Sequence, residues 1–465
     1  MRGPKEFRRD ASDTIAAIAT PPGTGGISIV RISGAGALAV GDKIIRLRNG
    51  RAVSRVRSWS LSLGDVTDPD TGEVVDEAVA VVMRAPRSYT GEDVLEIQCH
   101  GGRLVTEKVL ELVLANGARP AGPGEFTRRA YLSGRITLEE AEAVLDLINA
   151  PSEASLREAG QRLRGELGSM VRAWEGRLYE VLAVLQGGED FPEDVSDVTE
   201  KAMEDLRSLH GEIQAVLSRA PLGMALVSGI EVCLVGRPNA GKSSIFNALL
   251  GQERAIVTDV PGTTRDVLRE RTLWGGLPVV LLDTAGLRQT HEIVEAIGVE
   301  KAESAASEAE VILYVVDDTV GLSPEDREWI SRWRGRKLLV LVNKCDLGVG
   351  RVSADDIREF LGADWLRVSG VTGQGVERIK ERVCSWFAEG GLPESALPGP
   401  ARQVDCLRRA SEAIGTALRD RQGGWTEDVM VMSLEEAAKT LSEISGKNVP
   451  EEVLDQVFSK FCVGK

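Results

Sequence analysis

The hydrophobic period of the chain changes three times. Between residues 13 and about 130, short alternating runs predominate. GGISIVRISG puts Ile27, Ile29 and Arg31 on one side of a strand, and DVLEIQCHGG sets Leu95, Ile97 and Cys99 against Glu96, Gln98 and His100. From Leu138 to about Ala220 the period becomes helical, with Ala141, Val144, Leu145 and Ile148 in one stripe and Leu178, Val181, Leu182 and Leu185 in another. Between 228 and about 388 the apolar runs EVCLVG, LPVVLLD, VILYVVD and KLLVLVN are each followed by a loop and a helical stretch, the pattern of a doubly wound parallel sheet. GGLPESALPGPA is a Pro/Gly linker. Helical periodicity then runs to the end, with Val453, Val457, Phe458 and Phe461 on one face. The expected fold class is multidomain α+β and α/β. It comprises a disordered extension (1–12), an N-terminal α/β domain (13–130), a helical domain in two parts (131–227 and 402–465), an inserted α/β domain (228–388) and a linker (389–401).

Composition narrows the function. At 465 residues the chain is too long for one core. A 4% aromatic share argues against a stacking platform for single-stranded RNA as the main feature. A formal net charge of -15 disfavours nonspecific clamping of a nucleic-acid backbone, while leaving room for a local basic patch. Cys99, Cys233, Cys345, Cys384, Cys406 and Cys462 form no CxxC pair, which argues against a zinc site or disulfide framework and suits a reducing cytosol. No apolar stretch approaches the roughly 20 residues that span a bilayer. The start, MRGPKEFRRD, lacks the apolar region of a targeting signal.

Candidate chemistry lies in the inserted domain. Gly236, Gly241, Lys242 and Ser243 satisfy G-x-x-x-x-G-K-[ST] between a strand and a helix. The loop through Asn239, Ala240 and Gly241 curls its N–H groups round a β-phosphate. Lys242 neutralises charge, Ser243 offers a hydroxyl to Mg²⁺, and Ser244 follows it. DTAG (Asp283, Thr284, Ala285, Gly286) ends the next long strand, where Asp283 can hold Mg²⁺ through water and the Gly286 N–H can sense a γ-phosphate. In NKCD, Asn343 and Lys344 precede Asp346, whose carboxylate can accept from guanine N1 and N2. Adenine cannot donate that pair, and discrimination on the order of 10⁴ follows. Ser369, Gly370 and Val371 begin the base-capping loop. TDVPGTTRD supplies a switch I loop (Thr258, Asp259, Val260, Pro261, Gly262, Thr263, Thr264), with Thr264 as γ-phosphate sensor and second Mg²⁺ ligand. The phosphate loop, DTAG, NKCD and the base loop, in this order and each after a strand, specify GTP; the switch I loop falls between the first helix of this domain and its next strand. Leu287 stands where Ras-like proteins orient water with glutamine, so hydrolysis here needs another arrangement.

The motifs ATPPGTGGISIVRISG, SYTGEDVLEIQCHGG, PGEFTRRAYLSGRI, GRPNAGKSS, TDVPGTTRDVLRE and DTAGLR, with the terminal FCVGK, closely resemble the MnmE (TrmE) family of tRNA-modification GTPases from Asp13 to Lys465. The resemblance implies potassium-dependent hydrolysis, with K⁺ held at Asn239, Thr258, Val260 and Thr263, a water-positioning glutamate at Glu295, and Arg288 steadying the switch. It implies that the N-terminal domain binds 5-formyl-tetrahydrofolate at a homodimer interface through Arg31, Glu96, Arg135 and Lys465, Arg135 standing where relatives often have lysine. Cys462 is the family's C-terminal cysteine. On their own, Arg31 and Glu96 read as ordinary polar strand residues, Glu295 as a solvated switch-helix residue and Cys462 as a small apolar residue beside Phe461. The implied partners are GTP, tRNA and an FAD- and NADH-using MnmG (GidA)-type enzyme in a heterotetramer. With it the family installs aminomethyl or carboxymethylaminomethyl at carbon 5 of the wobble uridine. The alternatives are a ribosome-assembly or RNA-binding GTPase, for which no KH-type domain or second P-loop is visible, a folate-dependent methyltransferase with a regulatory G domain, and a GTP-switched scaffold.

Overall fold

Alternation in the first 130 residues produces strands that bury one face against helices and leave the other open. The computed structural model describes residues 13–188, 196–251, 268–283, 303–361, 364–388, 391, 395–423 and 427–465. The strands β1 (Ile15–Ile18), β2 (Ile27–Ser33), β3 (Ile45–Leu47), β4 (Ser60–Thr67), β5 (Val74–Met83), β6 (Val94–His100) and β7 (Arg119–Pro120) lie in the order β3-β4-β5-β6-β2-β1-β7. Pairing is antiparallel except between β1 and β7. Helices α1 (Ala37–Ile44) and α2 (Arg103–Ala115) cover one face, burying Val30, Ile32, Ala80, Val82, Leu95 and Ile97. The opposite face carries Arg31, Glu96 and Gln98, with Val79 and Val81 half-buried and Leu61 and Leu63 exposed.

Contacts group the chain up to Leu145 with Ser445–Lys465 as one unit, and Asp146–Ile444 as another. In the first unit, α3 (Glu125–Leu132) leads to α4 (Leu138–Asn149), whose residues from Asp146 on belong to the second. The C-terminal helix Glu451–Phe458 buries Leu454, Val457 and Phe458 with Leu138, Ala141 and Phe461. Ile148 differs from the expected stripe. It is 49% exposed, because burial fades along α4 beyond the turns that Leu454, Val457 and Phe458 cover. Arg119, on edge strand β7, and Arg129 cross-link Asp13, Glu92 and Glu125. Burial raises the Asp13 and Glu125 pKa values, but the hydrogen bonds from the arginines outweigh it and leave both below the usual carboxylate range.

In the second unit, α5 (Glu153–Leu163), α6 (Glu166–Gly188), α7 (Ser196–Ser218) and α8 (Ala220–Ser228) precede β8 (Ile230–Gly236) and α9 (Lys242–Leu250). Then come β9 (Leu268–Trp274), β10 (Leu277–Asp283), β11 (Val311–Asp317), α10 (Pro324–Arg332), β12 (Lys337–Asn343), β13 (Trp365–Arg367), α11 (Val376–Ser385), α12 (Ala401–Gln422) and α13 (Glu427–Ser445). The second sheet has the order β13-β12-β11-β8-β10-β9. All pairs are parallel except β9 with β10. Four of the five parallel strands, β8, β10, β11 and β12, are the continuous apolar runs of the sequence; β13 is a three-residue edge, WLR, and β9 a polar edge, LRERTLW, with no such run. Leu178, Val181, Leu182 and Leu185 of α6 meet α7, α12 and α13 in a separate helical core.

Both chain crossings between the helices and this sheet pass α5. Ser155 Oγ donates to the Leu226 carbonyl on α8 at 2.8 Å, and Glu158 Oε1 accepts from the Leu397 N–H at 2.7 Å. A Cβ on Gly223 would lie 2.2 Å from the Pro398 carbonyl oxygen, so the outgoing and returning segments touch directly. Among the described residues no helix is long and apolar enough to cross a membrane, and no cluster of His, Cys, Asp or Glu could hold a metal ion. All six cysteines are free.

Candidate functional site

The buried strand β8 delivers its chain to a tight loop at the C-terminal edge of the parallel sheet, where an open α/β sheet binds ligands. Asn239 is left-handed there (φ 63°), and Lys242 Nζ donates to the Gly236 and Arg237 carbonyls at 2.6 and 2.8 Å, closing the curl. Gly241 permits the loop's closest approach: a Cβ would lie 2.1 Å from Asn343 Nδ2. Asn343, 2% exposed, spans two loops. Its Nδ2 donates to the Ala240 carbonyl at 2.9 Å, and its Oδ1 accepts from the Gly370 N–H at 3.0 Å. One amide therefore fixes the phosphate loop against the base loop.

Lys344, also left-handed (φ 66°), sends Nζ to the Asn239 carbonyl at 2.9 Å and to Asp317 Oδ2 at 2.5 Å. Burial raises the Asp317 pKa, but the hydrogen bonds from Lys344 and Thr319 outweigh it and hold the carboxyl below its usual range. The sequence reading passed over Asp317. Its signal was an acidic residue ending a strand beside the NKCD strand. Ser369 is fully buried and its Oγ accepts from the Thr372 N–H at 3.1 Å, so its side chain shapes its own loop. Asp346 and Ser243 are exposed, and Asp283 is buried at the end of β10. Ser244, Asn247, Gly370, Val371 and Thr372 line an open groove of about 650 Å³ beside the loops. The extension 1–12, the switch residues 258–264 and 284–286, Arg288 and Glu295 lie outside the described residues.

A second constellation forms in the N-terminal unit. Arg31 and Glu96 face each other across β2 and β6, with Nε and Oε1 2.8 Å apart. The Arg31 guanidinium lies 5.5 Å from the Tyr89 ring centre and 5.7 Å from that of Phe126. The last four residues return to this pair. Val463 bridges Pro123, the Phe126 N–H donates to the Lys465 carbonyl at 3.2 Å, and Arg31 Nη1 donates to the Gly464 carbonyl at 3.4 Å. Gly464 is required at this approach: its φ is +99°, and a Cβ would lie 2.2 Å from the Ile18 carbonyl oxygen. Burial, then the neighbouring Arg31, push the Lys465 ammonium below its usual pKa, against the pull of Glu96. Arg135 is exposed and donates from Nε to the Ser88 carbonyl at 3.2 Å, next to Tyr89 and not to Glu96. Cys462 is exposed, and its carbonyl accepts from the Gly124 N–H at 3.4 Å.

Comparison with known proteins agrees along the chain. A family model described as the GTP-binding protein TrmE N-terminus matches residues 14–135, and one for the MnmE helical domain matches 138–462. The tRNA modification GTPase MnmE of Moorella thermoacetica is 43% identical over 97% of this chain and 99% of its own. That of Symbiobacterium thermophilum is 45% identical over 97% and 99%. Among solved structures, the G domain of the T. maritima FeoB iron transporter matches 34% of this chain and 98% of its own, at 25% identity and a TM-score of 0.26. Aquifex aeolicus Era bound to GDP and AlF4⁻ matches 39% of this chain and 66% of its own, at 25% identity and a TM-score of 0.28.

Proposed function

The chain belongs to the tRNA modification GTPase MnmE family, and from that premise we propose that it is a potassium-dependent GTP hydrolase working with an FAD-dependent MnmG-type partner. Together they would form aminomethyl or carboxymethylaminomethyl at carbon 5 of the wobble uridine of certain tRNAs, in the cytoplasm. The return of Gly464 and Lys465 to the Arg31–Glu96 pair, in a chain that also holds the Asn343 bracket, carries this reading.

In the nucleotide site Lys242 binds the β- and γ-phosphates, the N–H groups of 239–244 cradle them, and Asp346 reads guanine with the loop from Ser369. The exposed Ser243 hydroxyl, with Thr264, offers the hard oxygen donors that suit Mg²⁺; Asn239, with Thr258, Val260 and Thr263, offers those for K⁺. Held there, the two cations would supply positive charge to offset that of the phosphate oxygens. Glu295 positions the attacking water, and Arg288 steadies the switch.

In the N-terminal unit the Arg31–Glu96 pair gives a tetrahydrofolate both a carboxylate for the donor edge of its pterin and a cation. Lys465, with Arg135 further out, suits the glutamyl carboxylates. The open sheet face bearing Leu61, Leu63, Val79 and Val81 supports a homodimer there. Mass spectrometry of wobble nucleosides, from cells lacking the native protein and complemented with this chain, tests the function. Restored modification is expected; an unmodified nucleoside despite folded, GTP-binding protein overturns it.

A further inference from the structure

A chain of net charge -15 gathers arginine along one edge of its N-terminal sheet. Residues 46–57 hold Arg46, Arg48, Arg51, Arg55 and Arg57 and no carboxylate. They run from β3 through the short helical turn Val53–Arg55 to the approach of β4. Arg48 pairs with Glu77 and Asp65, and Arg46 reaches the Asp42 and Lys43 carbonyls at the end of α1. Arg51, Arg55 and Arg57 are exposed, as is Arg87 on the neighbouring loop, and none of the four has a carboxylate partner among the described residues. Arg84 ties that loop to the segment by donating to the Ser54 and Val56 carbonyls.

Trp59 stands among them. It is 63% exposed and left-handed (φ 60°), a conformation rare for so large a residue. Its backbone N–H donates to the Val82 carbonyl at 2.7 Å and its Nε1 to the Arg87 carbonyl at 3.0 Å. These two bonds hold the indole on the surface. Like charges without counter-charges, and an indole kept in water, contribute nothing to the core. Guanidinium forks match phosphate oxygens, and a fixed aromatic ring accepts an unpaired base of any identity.

We propose that this ridge, Arg51, Arg55, Arg57 and Arg87 around Trp59, holds the sugar-phosphate backbone of RNA and stacks one unpaired base. Resting on the reading above, that RNA is a tRNA. RNA is favoured over an acidic protein surface because the forks and the exposed ring serve together only when charge and a flat π-face come from one ligand.

The test measures binding of bulk tRNA to the full chain by filter retention at a series of salt concentrations. The comparison is wild type against the fourfold Arg→Gln variant, Trp59→Ala and Trp59→Phe. Each phosphate contact contributes about 0.7–0.9 to the slope of log affinity against log salt. The fourfold variant should therefore lose a slope of about 3 and roughly 10²–10³ in affinity near 0.15 M salt. Trp59→Ala should weaken binding roughly 5- to 100-fold at every salt concentration without changing the slope, and Trp59→Phe should recover most of it. GDP affinity and folate binding, measured on the same preparations, should stay at wild type and serve as the folding control. An unchanged slope and affinity in the fourfold variant overturns the proposal alone; a wild-type chain that retains no tRNA even at low salt overturns it together with the tRNA reading. A variant that keeps its tRNA but loses its dimer, or its hold on the FAD-dependent partner, assigns the ridge to protein contact and also overturns the proposal.

Discussion

Replacing Gly464 by alanine isolates the C-terminal contact from everything else in the protein. The backbone there has φ +99°, and the new Cβ would meet the Ile18 carbonyl oxygen at 2.2 Å, where ordinary contact begins near 3.4 Å. Ile18 ends β1, which is paired on both sides, so the obstacle is sheet backbone and no rotamer change relieves it. Left-handed backbone alone costs an alanine about 1–2 kcal/mol. If the tail lifts instead, three hydrogen bonds go with it: Gly124 N–H to the Cys462 carbonyl, Phe126 N–H to that of Lys465, and Arg31 to that of Gly464. At about 0.5–1.5 kcal/mol each these sum to roughly 1.5–4.5 kcal/mol. Either route moves Lys465 away from Glu96, and a loss of about 1–4.5 kcal/mol corresponds to roughly 5- to 2000-fold in ligand affinity. Calorimetry with 5-formyl-tetrahydrofolate reads that loss on the full chain, and a fluorescent GDP titration on the same sample should be unchanged. Deleting the last four residues should give the same result. Folate affinity within threefold of wild type in Gly464→Ala would refute the claim that the tail completes the site.

Asn343→Ala should leave the Ala240 carbonyl and the Gly370 N–H without their bridge, costing about 2–4 kcal/mol and lowering GDP affinity by at least tenfold in an equilibrium titration; equal affinity would show that the two loops hold their positions unaided. Asn239→Ala should abolish any preference of GTP turnover for potassium over sodium while sparing GDP binding, and equal wild-type rates in the two salts would remove the cation from the mechanism. Asp346→Asn should favour xanthosine over guanosine nucleotides in competition binding, and unchanged GTP affinity would exclude Asp346 as base reader. Asp13 and Glu125 have folded pKa values below 3.8 and 4.5, so their stabilisation is full above those unfolded values and is lost as pH falls through the lowered ones. Thermal unfolding followed from pH 6 down to pH 3 should show a steeper drop below about pH 4.5 in wild type than in Arg119→Gln, and parallel curves would exclude that network.

The inserted domain was legible because four of its five parallel strands are written as continuous apolar runs and its loops carry short motifs with fixed chemistry. Edge strand β9 was not, since LRERTLW buries only alternate side chains against one neighbour. In the N-terminal unit, alternation showed which side of β2 and β6 carries Arg31 and Glu96, but no pattern in either strand announces that they pair in register. The approach of Lys465 to that pair was expected from the family resemblance and from the apolar face of the last helix; the Gly464–Ile18 contact that enforces it is a backbone fact with no side-chain signature. Ile148 was misjudged because periodicity marks a face without marking how far along the helix a partner extends. Asp317 and Trp59 went unnoticed for the opposite reason: Asp317 is the single acid that closes the run VILYVVD, Trp59 stands outside any periodic run or known motif, and only their partners make them conspicuous.

The direct contact of Gly223 with Pro398, beside the Ser155–Leu226 and Glu158–Leu397 hydrogen bonds, has a consequence for how such a chain can be assembled. Where a polypeptide departs and comes back at one point, the intervening stretch behaves as a plug-in module. Its host loses no continuity, because the severed ends already lie together. A nucleotide-hydrolysing cassette could be gained, exchanged or removed at this splice point by a single recombination event, leaving α6, α7, α12 and α13 packed as before.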